Sequence, residues 1–440
     1  TTFGAGASGF FGAGALVVGE GAPGESAVAL DRVGSENGLD TLALRSDAPI
    51  VFRNAPALTP ETLVLDAPGI VRGADLGDLS LSLSRLTLKN RSGTTETPGV
   101  APVGTLSIRA DRIDLDATSS AEANGTFLID GFDRVDLVAP RIEASADHRL
   151  ELATGPTGTA RFATDLLRTT GAAALTVETS GRLEARRLGA GLEATAVNGT
   201  EALAGSVDLS ASAIDFATQV VAPSGRIALT ARDGDLTLGN GAVLDAAGLS
   251  GVDFDGVSVG SAGGRVALVS ERGDLVLGSG GAAGASAVVS VDVSGGFGSG
   301  VFGSGGTLAA EARAGDLIVS DPAAVSLRGL GGGGAAGAEA AFAFAGLSGV
   351  DVGDLLTTMG QGRATPTGAG GAGSATTVPS FTGALEIAST GAVDFTLAPE
   401  DAIRASRIRL VAGEGPITVA STLDARGLRA GRIEIGRAHV

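Results

Sequence analysis

Along most of the chain, apolar residues alternate with small or polar ones in runs of three to six, which is the period of a short strand with one buried face. The clearest runs form a repeated sentence. It reads Gly225-Arg226-Ile227-Ala228-Leu229-Thr230-Ala231, then Gly234-Asp235-Leu236-Thr237-Leu238, then Gly241-Ala242-Val243-Leu244-Asp245-Ala246-Ala247-Gly248. It returns as Gly264-Arg265-Val266-Ala267-Leu268 with Gly273-Asp274-Leu275-Val276-Leu277, and as Gly306-Thr307-Leu308-Ala309-Ala310 with Gly315-Asp316-Leu317-Ile318-Val319. Near the end come Arg407-Ile408-Arg409-Leu410, Pro416-Ile417-Thr418-Val419 and Leu423-Asp424-Ala425, and Arg432-Ile433-Glu434-Ile435 opens another copy.

In this pattern Ile227 and Leu229 point inward on one strand, Leu236 and Leu238 on the next, and Val243 or Leu244 on a third, with Gly or Gly-Asp at the boundaries supplying turn conformations. Three strands too short to stand alone predict stacked units that pair in parallel, each completing its neighbour's core. Arg407 to Arg432 is 25 positions, whereas Arg226 to Arg265 is 39 and Arg265 to Thr307 is 42, so the longer intervals read as one coil plus a Gly-rich insertion. The first half carries the same grammar in Leu79-Ser80-Leu81-Ser82-Leu83, Leu86-Thr87-Leu88, Arg112-Ile113-Asp114-Leu115 and Arg134-Val135-Asp136-Leu137.

The expected fold is therefore all-β: a right-handed parallel β-helix, a solenoid with three short strands per coil and Gly-rich loop insertions. About 15 to 20 coils at the inter-strand spacing would make it on the order of 70 to 95 Å long. The predicted layout is a Gly/Ala-rich irregular segment over residues 1–24, shaft over 25–330, a Gly/Ala-rich insertion over 331–379 with a short helix around Ala338 to Ala345, and continuing shaft over 380–433. Insertions near 251 to 262, 281 to 305 and 331 to 379 are the expected contact surface.

Composition supports a solenoid over a globule or a disordered chain. Gly accounts for 71 of the 440 residues, Trp, Tyr and Cys are absent and aromatics are 3%, yet 44% of residues are hydrophobic. Short aliphatic side chains suit a narrow stacked interior, and a mean hydropathy of +0.31 is too apolar for disorder. The net charge of −18 argues against nucleic acid as a partner, since phosphate would be repelled. Lys89 is the only lysine, which with the Ala/Gly/Asp richness suggests a GC-rich bacterial genome. Absence of Cys suits export through an oxidising periplasm. No signal peptide is recognisable at Thr1, and no apolar run is long enough for membrane insertion. Residues 434–440 resemble the translation of a sequencing adapter, so the chain is expected to be a fragment of a longer protein.

The units Gly225 to Ala231 and Ala242 to Gly248, joined by a Gly-Asp strand, resemble the repeats of filamentous haemagglutinin-like exoproteins of the two-partner secretion system. Arg134-Val135-Asp136-Leu137-Val138-Ala139-Pro140-Arg141-Ile142 resembles another phrase of their shafts. The resemblance covers residues 60 to 433. It implies a secreted, surface-located bacterial adhesin, an outer-membrane transporter barrel as export partner, and a host-cell or neighbouring-cell surface, glycan or protein, as binding partner. A polysaccharide-active β-helix enzyme and an autotransporter passenger remain as alternatives.

Candidate chemistry is sparse, and the expectation is no catalytic residue, no metal and no cofactor. Gly19 to Ser26 has the spacing of a phosphate loop, but Glu25 stands where the phosphate-binding lysine belongs. Gly4-x-Gly6-x-x-Gly9 lacks the strand that should precede a dinucleotide fingerprint. Asp235, Asp274 and Asp316 predict an acidic ladder, either a row of turn residues or, in an enzyme, a catalytic face. Asp253 and Asp255 in a Gly-rich loop could offer calcium oxygen ligands, although Gly296 to Gly300 lacks the aspartate of the calcium-binding nonapeptide. Gly256-Val257-Ser258-Val259-Gly260 matches a nucleophile elbow without an α/β pattern or a partner base. His148, in Asp147-His148-Arg149, reads as a solvated turn residue, and His439 as part of the adapter. Asn90, Asn124 and Asn198 head Asn-x-Ser/Thr triplets, the acceptor pattern for glycosylation.

Overall fold

A computed structural model describes residues 7–19, 27–28, 39–53, 60–120, 123–189, 204–252, 257–279, 289–296, 303–329, 340–346, 355, 358–359, 383–389, 395–397, 403–413, 417–419, 422–425 and 431–437. These residues are overwhelmingly strand, and the strands pair mostly in parallel into long ladders that wind as a solenoid. The chain divides into two compact units, the first comprising residues 1–196, 205–214 and 218–220, the second residues 197–204, 215–217 and 221–440.

In the first unit one sheet carries two parallel runs. Leu39–Ser46 and Thr62–Asp66 lead into the second half of Leu79–Lys89, which continues through the second half of Thr105–Leu115 to Arg141–Ala144 and Leu166–Thr169. The first halves of Leu79–Lys89 and Thr105–Leu115 continue to Arg134–Val138, Thr159–Ala163 and Arg182–Arg186. Register stacks like upon like: Leu79, Leu106, Val135, Ala160 and Leu183 make one buried row, and Leu81, Ile108, Leu137, Phe162 and Ala185 the next. At the end of the second row the bulky Phe162 stacks beside the small Ala185, a pairing that suits close packing. A second ladder runs through Ile50–Phe52, Gly69–Arg72, Phe127–Asp130, His148–Ala153, Ala174–Thr179 and Ser206–Ala211. In Leu79–Lys89 the alternation slips at Ser84 and Arg85, both exposed. Where two separate strands are expected, one strand turns a corner and its apolar face is re-aimed.

The second unit carries the repeated sentence. Arg226–Ala231, Arg265–Ser270, Thr307–Ala312, Ala341–Gly346, Ala384–Ser389, Arg407–Ala412 and Arg432–Arg437 pair in parallel without a register shift. Ile227, Val266, Leu308, Phe342, Leu385 and Ile408 form its buried row. Leu236–Gly239, Leu275–Ser279 and Leu317–Val319 also pair in parallel, with one register shift that sets Gly239 opposite Ser279, and Val243–Asp245, Val289–Asp292 and Val325–Arg328 form a further parallel set.

Several expectations are corrected here. The segment assigned to an irregular N-terminal stretch contains Ala7–Ala13, paired in parallel with Leu39–Ser46, and Val17–Val18, paired with Val51 and Phe52. The Ala/Phe stretch assigned to a helix is the strand Ala341–Gly346: Phe342 and Phe344 are two apart, which puts both on one face of a strand but on opposite sides of a helix, and both are buried. The insertion placed at 281 to 305 contains the ladder strand Val289–Asp292. The one at 251 to 262 contains an antiparallel hairpin, Ser250–Val252 with Ser258–Gly260. Glycine is what lets these chains lie together. A Cβ on Gly296 would sit 2.1 Å from the Leu249 carbonyl oxygen, and one on Gly303 would sit 1.8 Å from that of Ser261. With hydrogen there instead, Gly296 N–H donates to Ser261 O at 2.8 Å and Gly303 N–H to Gly296 O at 3.0 Å.

Candidate functional site

The Gly-Asp turns do bring Asp235, Asp274 and Asp316 into a ladder, but its chemistry is spent on the backbone. Asp235 Oδ1 accepts the N–H of Asp274 at 2.9 Å, and Asp274 Oδ1 accepts that of Asp316 at 2.8 Å. Each carboxylate thus ties its turn to the equivalent turn of the following repeat. Other turns repeat the device: Thr105 N–H donates to Asp78 Oδ1 at 2.7 Å, Ala174 N–H to Asp147 Oδ1 at 2.9 Å, and Gly99 and Val100 N–H to Asp130 Oδ2 at 2.8 and 3.0 Å. A carboxylate held by backbone donors at one end of a stack is poorly placed for general acid or base work, which needs a partner converging on one reacting atom.

Asp253 and Asp255 lie outside the described residues, as do Asn198, His439 and residues 20–26 of the phosphate-loop-like run. Among the described residues no group of three His, Cys, Asp or Glu side chains is placed to hold a metal ion. Gly19, at the head of the phosphate-loop-like run, lies against the backbone of Arg53: its φ is +111°, and a Cβ there would lie 1.6 Å from the Arg53 carbonyl oxygen. Ser258 stands in the hairpin opposite Val252 rather than at a strand-to-helix elbow. Asn90 is fully buried, its Nδ2 donating to Thr94 O at 2.7 Å and Thr126 O at 3.1 Å, so it is closed to a glycan in the folded chain.

Two clusters were not legible from the linear pattern. In the first unit, Thr87, Asp114, Glu143 and Arg168 are register partners on adjacent strands. Asp114 accepts from Arg85 and Arg112, both at 2.5 Å, while Glu143 accepts from Arg112 at 3.1 Å and from Arg168 at 2.7 Å. The side chains of Asp114, Glu143 and Arg168 are at most 7% exposed. The Arg112 guanidinium feels burial first, which disfavours its charge, but the bond and charge of Asp114 and the charge of Glu143 leave its pKa raised. In the second unit, a shallow cavity of about 640 Å3 lies on the outer face of the long ladder. Its floor is the small-residue row Thr307, Ala341 and Ala384, with Arg265 at one end and Arg407 at the other. The sequence signal for it is the Arg that opens the repeats at 265 and 407 and is replaced by Thr307, Ala341 and Ala384 between them.

His148 is the further correction. It is not a solvated turn residue: it points inward from His148–Ala153, is 2% exposed and stacks against Phe127 at 6.3 Å. Elsewhere Asp245 and Asp292 are register partners, and burial, helped by the charge of Asp292, pushes the Asp245 carboxyl up against the hydrogen bond it accepts from Ala247 N–H.

Comparison with known proteins adds no relative: no family model, curated protein or solved structure matches the chain. No helix among the described residues is long and apolar enough to cross a membrane.

Proposed function

We propose that this chain is shaft from a secreted bacterial surface protein of the filamentous haemagglutinin type, a right-handed β-helix of three strands per coil that works by holding contact surfaces away from a cell. The observation that carries the reading is the succession Arg226–Ala231, Leu236–Gly239, Val243–Asp245, whose three members pair in order with Arg265–Ser270, Leu275–Ser279, Val289–Asp292 and then with Thr307–Ala312, Leu317–Val319, Val325–Arg328. A chain that spends its carboxylates on tying repeats together is built for mechanical continuity rather than turnover. In this reading the Gly-rich segments are loop insertions carried by the coils. The protein is exported through an outer-membrane barrel and meets a host or neighbouring cell, with the Arg-flanked cavity among the surfaces it offers.

Beads coated with the purified chain, flowed over cell monolayers and over glycan-coated glass, test the proposal. Saturable retention competed by free chain is the expected result. Retention no better than on albumin-coated beads would sink the adhesive role, and release of reducing ends from an acidic polysaccharide would favour the β-helix enzyme instead.

A further inference from the structure

The strand His148–Ala153 turns His148, Leu150 and Leu152 into the interior of the first unit. The imidazole Nδ1 lies 2.5 Å from the carbonyl oxygen of Asp116, and Nε2 is buried with no hydrogen-bond partner among the described residues. A carbonyl oxygen only accepts, so Nδ1 carries the proton of the neutral ring and Nε2 keeps a bare lone pair. The contact belongs to a corner that joins successive strands. Asp116 N–H donates to Leu88 O at 2.9 Å, Asn90 N–H to Ala117 O at 3.0 Å, Thr118 N–H to Asp147 O at 3.1 Å, and Arg149 N–H to Thr118 Oγ1 at 2.9 Å.

We propose that His148 is an acid-sensitive latch: a second proton, on Nε2, finds no acceptor in the core, and the chain relieves it by releasing the Asp116–Thr118 corner so that the imidazolium reaches water. The charged groups on the packed elements do little to prevent this. The Asp116 carboxylate accepts from Ala117 N–H and that of Asp147 from Ala174 N–H. Asp130 at the end of Phe127–Asp130 holds Gly99 and Val100. Arg149 pairs with Glu178 at 3.0 Å on the outer face, where burial and then Glu178 raise the pKa of Glu151. Asp114, near the end of Thr105–Leu115, is engaged by Arg85 and Arg112.

Burial dominates, and it lowers the His148 pKa from the usual 6.5 to about 4 against the opposing pull of the Asp116 carbonyl and carboxylate. Because the folded value is depressed, the latch contributes in full above the ordinary histidine range, weakens as pH falls below it, and is lost by the time pH has passed through the folded value. At pH 5 the opening equilibrium of the corner rises about 20-fold over its value at pH 7.

The test is amide hydrogen exchange on the whole chain at pH 7 and pH 5, corrected for intrinsic rates, read at Thr118 and Arg149 with Leu236, bonded to Asp274 O at 2.9 Å, as reference. The expected result is a loss of protection of about 20-fold at Thr118 and Arg149 beyond any change at Leu236, absent in His148→Leu and His148→Gln. Equal loss in both variants would assign the effect to Asp116 and Asp147 and overturn the latch, as would unchanged protection in the wild type. Should neither variant fold, the imidazole titration of the wild type followed by NMR decides: an ordinary value overturns the proposal, and a depressed one that coincides with loss of protection supports it.

Discussion

At the scale of single residues, the turn aspartates illustrate how a visible motif can hide its role. The Gly-Asp spacing announces Asp235, Asp274 and Asp316 as equivalent, but equivalence alone does not distinguish a catalytic row, an ion site or a row of turns. The contact that separates these readings is from Asp274 Oδ1 to the N–H of Asp316, 42 positions away. If the carboxylate oxygen is the working part, Asp274→Ala costs about 1 kcal/mol, the usual value of a side-chain cap on a backbone donor, while Asp274→Asn retains most of the stability because its amide oxygen still accepts. Urea denaturation of the two variants measures the difference. Equal destabilisation by Asn and Ala would show that charge rather than the hydrogen bond matters.

At the scale of elements, strand identity was readable wherever apolar residues alternated, and it misled where composition was given more weight than period. Ala338 to Ala345 looks helical because Ala is the best helix former, but the spacing of Phe342 and Phe344 admits one buried face only in a strand. The ion network across Thr105–Leu115, Arg141–Ala144 and Leu166–Thr169 arises at this scale, because register sets Asp114, Glu143 and Arg168 side by side. Glu143→Ala would remove the 2.7 Å bond to Arg168, a side chain only 7% exposed, and truncating one side of a buried ion pair destabilises by about 3 kcal/mol. A thermal melt of the variant should fall by several degrees, and one indistinguishable from wild type would mean that the network contributes nothing net. His148 belongs here too, since the parity of its position, in phase with Leu150 and Leu152, already implied an inward side chain that its polar neighbours Asp147 and Arg149 obscured.

At the scale of the whole molecule, each repeat touches chiefly its neighbours in sequence order, so stability is close to a sum of unit and nearest-neighbour terms. Urea unfolding should therefore be broad or multiphasic, with circular dichroism and amide protection in the two units losing signal at different concentrations. A single sharp transition coincident by both probes would show instead that one cooperative core spans the chain.

The class of structure is written in the chain alone: all-β, parallel and repetitive, because a period of two interrupted by glycine turns leaves few other ways to bury Val, Leu and Ile. The repeat phrases also aligned Arg226 with Arg265 and Leu236 with Leu275, as the pairing has them. Tertiary structure decided where the polar groups went. Burial of Asn90 and His148, the joining of Asp114 to Glu143 through Arg112, and the seating of Gly296 and Gly303 against carbonyl oxygens depend on which residues of successive repeats become neighbours. Repeats of unequal length make that a matter of register, and register is settled by the packed core as a whole rather than by any local stretch of chain.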